Sequence, residues 1–379
     1  MNKNVVIAGY VRSPFHFARK GDLTRVRPDD LAAQVVVGLI ERTGVKVDDI
    51  EDLLVGNAFP EGEQGFNVAR LIGMIAGLPQ SVAGVTINRF CGSSMQAIHS
   101  AAGAIQMDAG DAFICAGVES MTRVPMTGFN PMPNPALHEA QPGAYISMGE
   151  TAENLARKYQ ITREQQQQMA VDSHAKAAAA QAAGRFADEI VPIRANGAVV
   201  EADGTIRPDT SQQALSELKP AFDAEGTVTA GTASPLTDGA SATLVTTEDY
   251  AKANGLTVLA RIKAVAVAGC DPTIMGIGPV GATRKALARA GLELKHIGVI
   301  ESNEAFAAQA LAVATELGMD LHKVNLDGGA LALGHPLGAT GARITGKAAS
   351  LLKRESEEFA LATQCIGGGQ GIATILEAV

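Results

Sequence analysis

Short β-branched runs alternate along this chain with longer, alanine-rich stretches. Val5-Val6-Ile7-Ala8, Asp52-Leu53-Leu54-Val55 and Ala112-Phe113-Ile114-Cys115-Ala116 have the length and branching of buried strands. Asp29 to Thr43 and Ser93 to Met107 have helical spacing of apolar residues. The alternation predicts a layered α/β fold. It also recurs. Gly44, Ile50, Ala58 and Phe59 return as Gly291, Ile297, Ala305 and Phe306, all displaced by one interval. The same displacement carries Cys91 onto Gly338, Ala101-Ala102 onto Ala348-Ala349, and Ile114-Cys115 onto Leu361-Ala362. A repeat of this length predicts a duplicated fold that brings equivalent strand-to-helix corners together.

Residues 119–235 have no counterpart in the second half. The segment opens with Pro125, Pro131, Pro133, Pro135 and Pro142 and continues into an Ala/Gln-rich helical stretch from Gly149 to Gly184. An insertion of this kind in a repeated scaffold is a candidate substrate cover. The expected organisation is a first half over 1–118, completed by about 236–257, an inserted loop domain over 119–235, and a second half over 258–379.

The chain has 379 residues, 46% hydrophobic and 19% charged, which is globular rather than disordered. Its net charge of −9 argues against a nucleic-acid partner, because phosphates need an excess of Lys and Arg. The four cysteines form no C-x-x-C pair, and a chain this large needs no disulfide staples. No apolar run is long enough for a membrane helix. The N-terminus lacks signal-peptide form, and the C-terminus carries no targeting tripeptide. The expectation is a cytoplasmic protein.

Cys91 follows the apolar run Val82 to Ile87 and precedes a helix-like stretch, which favours a lowered thiol pKa. Gly92 beside it leaves room for a carbonyl, and exposed backbone N–H groups can hold an oxyanion. Read alone, Cys91 also fits a buried inert thiol. His335 sits between Gly334 and Pro336, so its conformation is restricted and it can serve as a general base. Read alone, it also fits a structural role. Cys365 follows the apolar run Phe359 to Thr363 and precedes Gly367-Gly368-Gly369. It can act as acid or base, while the glycines supply N–H groups. A phosphate cradle fits poorly, because no Gly-Lys-Ser/Thr follows. Asn303 can hold a water or an imidazole, or cap a turn. The other histidines show no metal-ligand spacing.

Asn88-Arg89-Phe90-Cys91-Gly92-Ser93-Ser94-Met95, Asn303-Glu304-Ala305-Phe306-Ala307, Gly334-His335-Pro336-Leu337-Gly338 and Cys365-Ile366-Gly367-Gly368-Gly369 together resemble the motifs of the thiolase family. The resemblance covers nearly the whole chain. It implies two α/β/α/β/α halves with an inserted loop domain, assembled as a homodimer or homotetramer. It further implies Cys91 as the acylated nucleophile, His335 as its activator and Cys365 as the acid/base at the substrate Cα. Asn303, through a water, and His335 would form one oxyanion hole. The N–H groups of Cys91 and Gly367 would form the other.

By the same resemblance, Arg207, Phe222, Ala230, Ser234 and Met148 are candidate contacts for CoA. Coenzyme A is then a substrate, and no separate cofactor or metal is expected. Ser147-Met148-Gly149 stands where acetoacetyl-specific members commonly have His-Met-Gly. Arg89-Phe90 and Ser94-Met95 also look more like the degradative branch. The resemblance therefore favours 3-ketoacyl-CoA thiolysis in fatty-acid β-oxidation, with a hydratase/dehydrogenase subunit as a possible partner. A biosynthetic acetoacetyl-CoA thiolase is the alternative, and a non-catalytic CoA- or lipid-binding protein of the same fold is more remote. A β-ketoacyl synthase would need further catalytic histidines where this chain has Asn303 and Cys365.

Overall fold

In the computed structural model, which describes residues 3–379, the apolar run at the start becomes strand β1 (Val5–Arg12), buried along its whole length. Burial on both faces is what a nearly continuous apolar strand requires. The first half adds β2 (Asp52–Gly56), β3 (Ala83–Ile87), β4 (Ala112–Ser120) and β5 (Thr237–Thr247). Their order is β3-β2-β4-β5-β1. β2 runs parallel to β3 and β4, and β5 runs antiparallel to β4 and β1.

The second half repeats this pattern with β6 (Ala260–Gly269), β7 (Val299–Ser302), β8 (Phe359–Ile366) and β9 (Gln370–Glu377) in the order β7-β8-β9-β6. β7 is parallel to β8, and β9 is antiparallel to β8 and β6. A parallel bridge between Ile300 and Val324 takes the place that β3 holds beside β2. The halves join where β1 pairs with β6.

Helices α1 (Pro28–Thr43), α2 (Val68–Ile75) and α3 (Ser93–Gln106) belong to the first half. The insertion supplies α4 (Met148–Lys158) and α5 (Arg163–Ala182), and the second half has α6 (Gly278–Ala290), α7 (Ala307–Leu317) and α8 (Leu337–Glu355). Strand alternation distributes them into layers. Leu53 and Val55 of β2 face Leu31, Val35 and Leu39 of α1 and Ile72 of α2. Leu54, one residue out of phase, faces Ile98 and Ala101 of α3. In the second half Leu361 packs with Ala282 and Ala286 of α6, while Ala360 and Ala362 pack with Ile344 and Leu351 of α8. The layers are therefore α1–α2, first sheet, α3–α8, second sheet, α6. Together the two repeated halves build one α/β/α/β/α stack, with α3 and α8 in its middle layer.

The repeated glycines have a local cause. Gly44 ends α1 at φ 68° and Gly291 ends α6 at φ 70°, the left-handed caps that glycine adopts with least strain. The Ala/Gln-rich stretch from 149 to 184 is two helices, not one. Gln160 turns left-handed at φ 54°, and Thr162 starts α5 with a reciprocal capping box to Gln165.

The insertion packs on both halves, with Val191 and Ile193 in the core of the first. Asn154 donates to the Thr273 carbonyl at 2.9 Å, and Ala177 and Ala180 pack on Ala332 and Leu333. Among the described residues, no helix is long and apolar enough to cross a membrane.

Nothing lies within 4 Å of a Cβ placed at Gly44 or Gly291. Gly44→Ala and Gly291→Ala should each therefore cost about 1 kcal/mol through φ alone. Urea unfolding of each variant measures this, and a neutral result would show that neither cap needs glycine.

Candidate active site

Cys91 lies at a tight corner between β3 and α3. Phe90 is left-handed at φ 43°. The Asn88 side chain accepts from the Phe90 N–H at 2.8 Å, and Ser93 Oγ donates to the Phe90 carbonyl at 2.6 Å. This bonding holds a non-glycine residue in a sparsely populated conformation. Gly92 has a stricter reason than open space beside the sulfur. A Cβ there would come within 2.7 Å of Ile366 from the second half.

The second half brings three segments to the same place. His335 leads into α8, with its N–H on Thr237 Oγ1 at 3.1 Å. Its Nδ1 lies 2.6 Å from Thr340 Oγ1, and its Nε2 lies 3.4 Å from Asn303 Nδ2. With the amide donating to Nε2, the ring carries its proton on Nδ1, and its one lone pair is on Nε2 at the Asn303 side. Asn303 Oδ1 is buried without a partner, so it is free to accept from a water or substrate.

Cys365, near the end of β8, is fully buried and packs with Met148, Phe306 and Ala305. The β8–β9 turn follows, with Gly368 and Gly369 at φ 80° and 87°. The backbone N–H groups of Gly367 and of Cys91 itself favour the Cys91 thiolate.

Burial decides the charge state. It pushes the Cys91 thiol up to about 11, and the nearby Glu119 carboxylate adds to this, against the two N–H groups that favour the thiolate. The expected lowering by the α3 N-terminus is thus outweighed in the free protein. Cys365 is also pushed well up, by burial and then by neighbouring Cys91. Burial, helped by the Arg343 charge, brings His335 down to about 3. The resting site holds two thiols and a neutral imidazole. That set suits proton transfer coupled to attack rather than a standing ion pair.

The remaining sequence-based candidates divide. Met148 Sδ would lie 3.5 Å from a Cβ at Gly367, and Phe222 meets Phe306 edge-on at 5.7 Å. Ser234 donates its N–H to the Ala305 carbonyl at 2.9 Å. These three therefore border the segments bearing Cys365 and Asn303. Ala230 is exposed nearby, beside Thr229. Arg207 stands apart, with its guanidinium 5.7 Å from the Phe17 ring centroid and its N–H on His174.

Sequence reasoning missed Glu119, Thr340 and Gln364, whose amide donates to the Cys91 carbonyl. Glu119 had a signal, a lone charge closing an otherwise apolar strand. Among the described residues, no group of three or more His, Cys, Asp or Glu side chains is placed to hold a metal.

Comparison with known proteins agrees with this geometry. The thiolase N-terminal domain matches residues 5–249, and the thiolase C-terminal domain matches residues 256–378. This chain belongs to the thiolase family. It is 47% identical to a 3-ketoacyl-CoA thiolase of Bacillus subtilis over 99% of both chains. It is 50% identical to one of Pseudoalteromonas translucida, again over 99% of each. Human mitochondrial 3-ketoacyl-CoA thiolase superposes with a TM-score of 0.92 at 38% identity, covering 100% of this chain and 99% of that one. Bacillus anthracis acetyl-CoA acetyltransferase gives 0.92 at 41% identity, covering 100% of both. The thiolase architecture is thus common to proteins named for both branches.

The raised Cys91 thiol predicts a pH dependence. Trapping by iodoacetamide should rise about tenfold per pH unit between pH 7 and 10 as thiolate forms. A rate already level below pH 8 would contradict the buried-thiol state.

Proposed function

We propose that this thiolase cleaves 3-ketoacyl-CoA with free CoA, giving acetyl-CoA and an acyl-CoA shortened by two carbons, in fatty-acid β-oxidation. The observation that carries the proposal is the buried meeting of two thiols, a neutral imidazole and an amide oxygen without a partner.

His335 Nε2 takes the Cys91 proton as the sulfur attacks the 3-keto carbon. The resulting oxyanion is held by the N–H groups of Cys91 and Gly367. The Cα–Cβ bond breaks, and its electron pair passes to the acetyl-CoA enolate. Asn303, through a water, and His335 stabilise the enolate oxygen. Cys365 gives its proton to Cα, which releases acetyl-CoA and leaves acyl-Cys91.

In the second half-reaction the Cys365 thiolate takes the proton of incoming CoA. The CoA sulfur attacks the thioester, and Cys91 departs with the proton held by His335. Each thiol ends the cycle as it began. The two tasks stay separate because Cys91 carries carbon while Cys365 carries only a proton.

Substrate placement follows the same logic. Met148 beside Gly367 borders the acyl end, and Phe222, Ala230 and Ser234 line the approach for pantetheine. Arg207, out on the insertion, would meet the nucleotide phosphates. Residues 119–235 serve as the covering domain. Coenzyme A enters as a substrate, with no separate cofactor, in the cytoplasm. Ser147 favours the 3-ketoacyl branch. Its hydroxyl caps α4 by accepting from the Glu150 N–H, so the position is committed to the helix start. A biosynthetic acetoacetyl-CoA thiolase, an acetyl-CoA C-acetyltransferase, is the second reading, supported by the equal superposition on the acetyl-CoA acetyltransferase.

A homodimer, alone or within a tetramer, fits the edge of the first sheet. β3 is an edge strand, and Val85 on it is exposed, as are Phe66, Leu71, Met74 and Ile75 on the adjoining segment. An open apolar edge of this kind calls for a partner strand. A hydratase/dehydrogenase subunit, whose reaction class supplies 3-ketoacyl-CoA, is a further proposed partner.

Purified protein should consume acetoacetyl-CoA and a long-chain 3-ketoacyl-CoA in the presence of CoA. Cys91→Ala should lower kcat at least about a thousandfold. Activity on acetoacetyl-CoA alone would select the second reading, and full activity of Cys91→Ala would refute the mechanism. Val85→Lys should shift sedimentation from dimer toward monomer, and an unchanged coefficient would place the interface elsewhere.

A further inference from the structure

Glu119, the next-to-last residue of β4, is 1% exposed. A carboxylate so deeply buried requires donors, and Glu119 has five. Oε2 accepts from the N–H groups of Ala58 at 2.9 Å and Gly338 at 3.0 Å. Oε1 accepts from Gln64 Nε2 at 2.9 Å, Asn57 Nδ2 at 3.3 Å and the Phe59 N–H at 3.3 Å. Asn57, Ala58, Phe59 and Gln64 follow β2 in the first half. Gly338 belongs to the first turn of α8 in the second half, just past His335. Its N–H is one that a helix start leaves unpaired, at the positive end of the macrodipole. The fit is close, since a Cβ at 338 would stand 2.8 Å from Asn57 Cα and 2.9 Å from Glu119 Oε2. Ala58, Phe59 and Leu337 also pack in one apolar cluster with Cys91.

We infer that Glu119 is a positioning residue whose carboxylate clamps the His335-bearing turn of the second half onto the Cys91-bearing corner of the first, setting the thiol–imidazole spacing. The inference rests on the assignment of Cys91 and His335 proposed above. Its chemistry is specific. Burial raises this carboxyl to about 7, so it is ionised at pH 8; all five partners donate, so the anion satisfies every one of them, whereas an amide turns its own N–H groups against at least one. The charge also works against the thiol. A negative group beside Cys91 disfavours thiolate, so Glu119 contributes to turnover through geometry and in spite of its charge.

That opposition separates positioning from mere stability. In full-length Glu119→Gln, kcat for thiolysis should fall tenfold or more, in line with the roughly hundredfold penalty of misplacing reacting groups by an ångström. KM for CoA should stay within twofold. Iodoacetamide should trap Cys91 at least twofold faster at pH 8, because the repelling charge is gone. Glu119→Asp keeps the charge but draws it back by one methylene. Its trapping rate should stay within twofold of the parent while kcat falls at least fivefold.

Parental kcat in either folded variant overturns the inference, as does Glu119→Gln trapping no faster than the parent. If Glu119→Gln does not fold, Glu119→Asp decides. If neither folds, the residue is structural and the inference is equally overturned. Cys91→Ala in the same assay keeps the readings distinct. An active Cys91→Ala defeats the nucleophile assignment, whereas an inactive one beside fully active Glu119 variants defeats the clamp alone.

Discussion

The closeness of α3 to α8 at the centre of the molecule is the constraint on which the site depends. A Cβ at Gly341 would come within 2.3 Å of the Met95 backbone nitrogen, and one at Gly117 within 2.2 Å of the Gly338 carbonyl. No side chain fits between these segments. Ser94 Oγ accepts the Ala342 N–H at 2.8 Å and so pins one helix start to the other. Each helix begins at the carboxyl end of its sheet, and each carries one half of the chemistry into its first turn. The duplication alone supplies two equivalent corners. Only the close approach of these segments brings the two corners together.

The same closeness fixes the electrostatics. Burying Cys91, Cys365 and His335 together removes water from all three and leaves each one neutral. A resting thiolate–imidazolium pair would carry charge in a site where only hydrogen bonds can offset desolvation. On the proposed mechanism a neutral site instead creates charge during reaction, beside the N–H groups of Cys91 and Gly367 and the amide of Asn303. Preorganised donors are most effective against charge that appears in the transition state. Burial therefore lowers the standing reactivity of Cys91 and strengthens the donors that act once substrate arrives.

The layers and the four candidate site segments were legible in the sequence because each is local. β-branched runs, alanine-rich stretches and the Gly44/Gly291 pair declare themselves within a few residues, and the constant displacement aligned the halves before any contact was known. The break at Gln160 was not legible, because glutamine has no strong preference for the left-handed region and the flanking sequence remains helical in composition. Glu119 was hidden for another reason. Its donors come from residues 57–64 and from Gly338, so its role exists only after both halves fold. Arg207 shows a further limit. A basic residue in the insertion is visible in sequence, but its distance from the thiol cluster depends on how the insertion folds back.

How the insertion is held bears on what it can cover. Arg12 of β1 is wholly buried, with Glu189 at 2.7 Å and Asp203 at 2.6 Å, both contributed by the insertion. Lys347 of α8 in turn reaches Glu189 at 2.9 Å and Asp327 at 2.8 Å. Glu189 therefore stands between a cation of the first half and a cation of the second. Buried ion pairs add little net stability over apolar packing, yet losing one partner is strongly destabilising. Their effect here is to exclude arrangements in which the insertion slides, since any slip would strand a charge without water. An insertion fixed to both halves keeps Met148 and Phe222 in register with the glycine turn and Phe306.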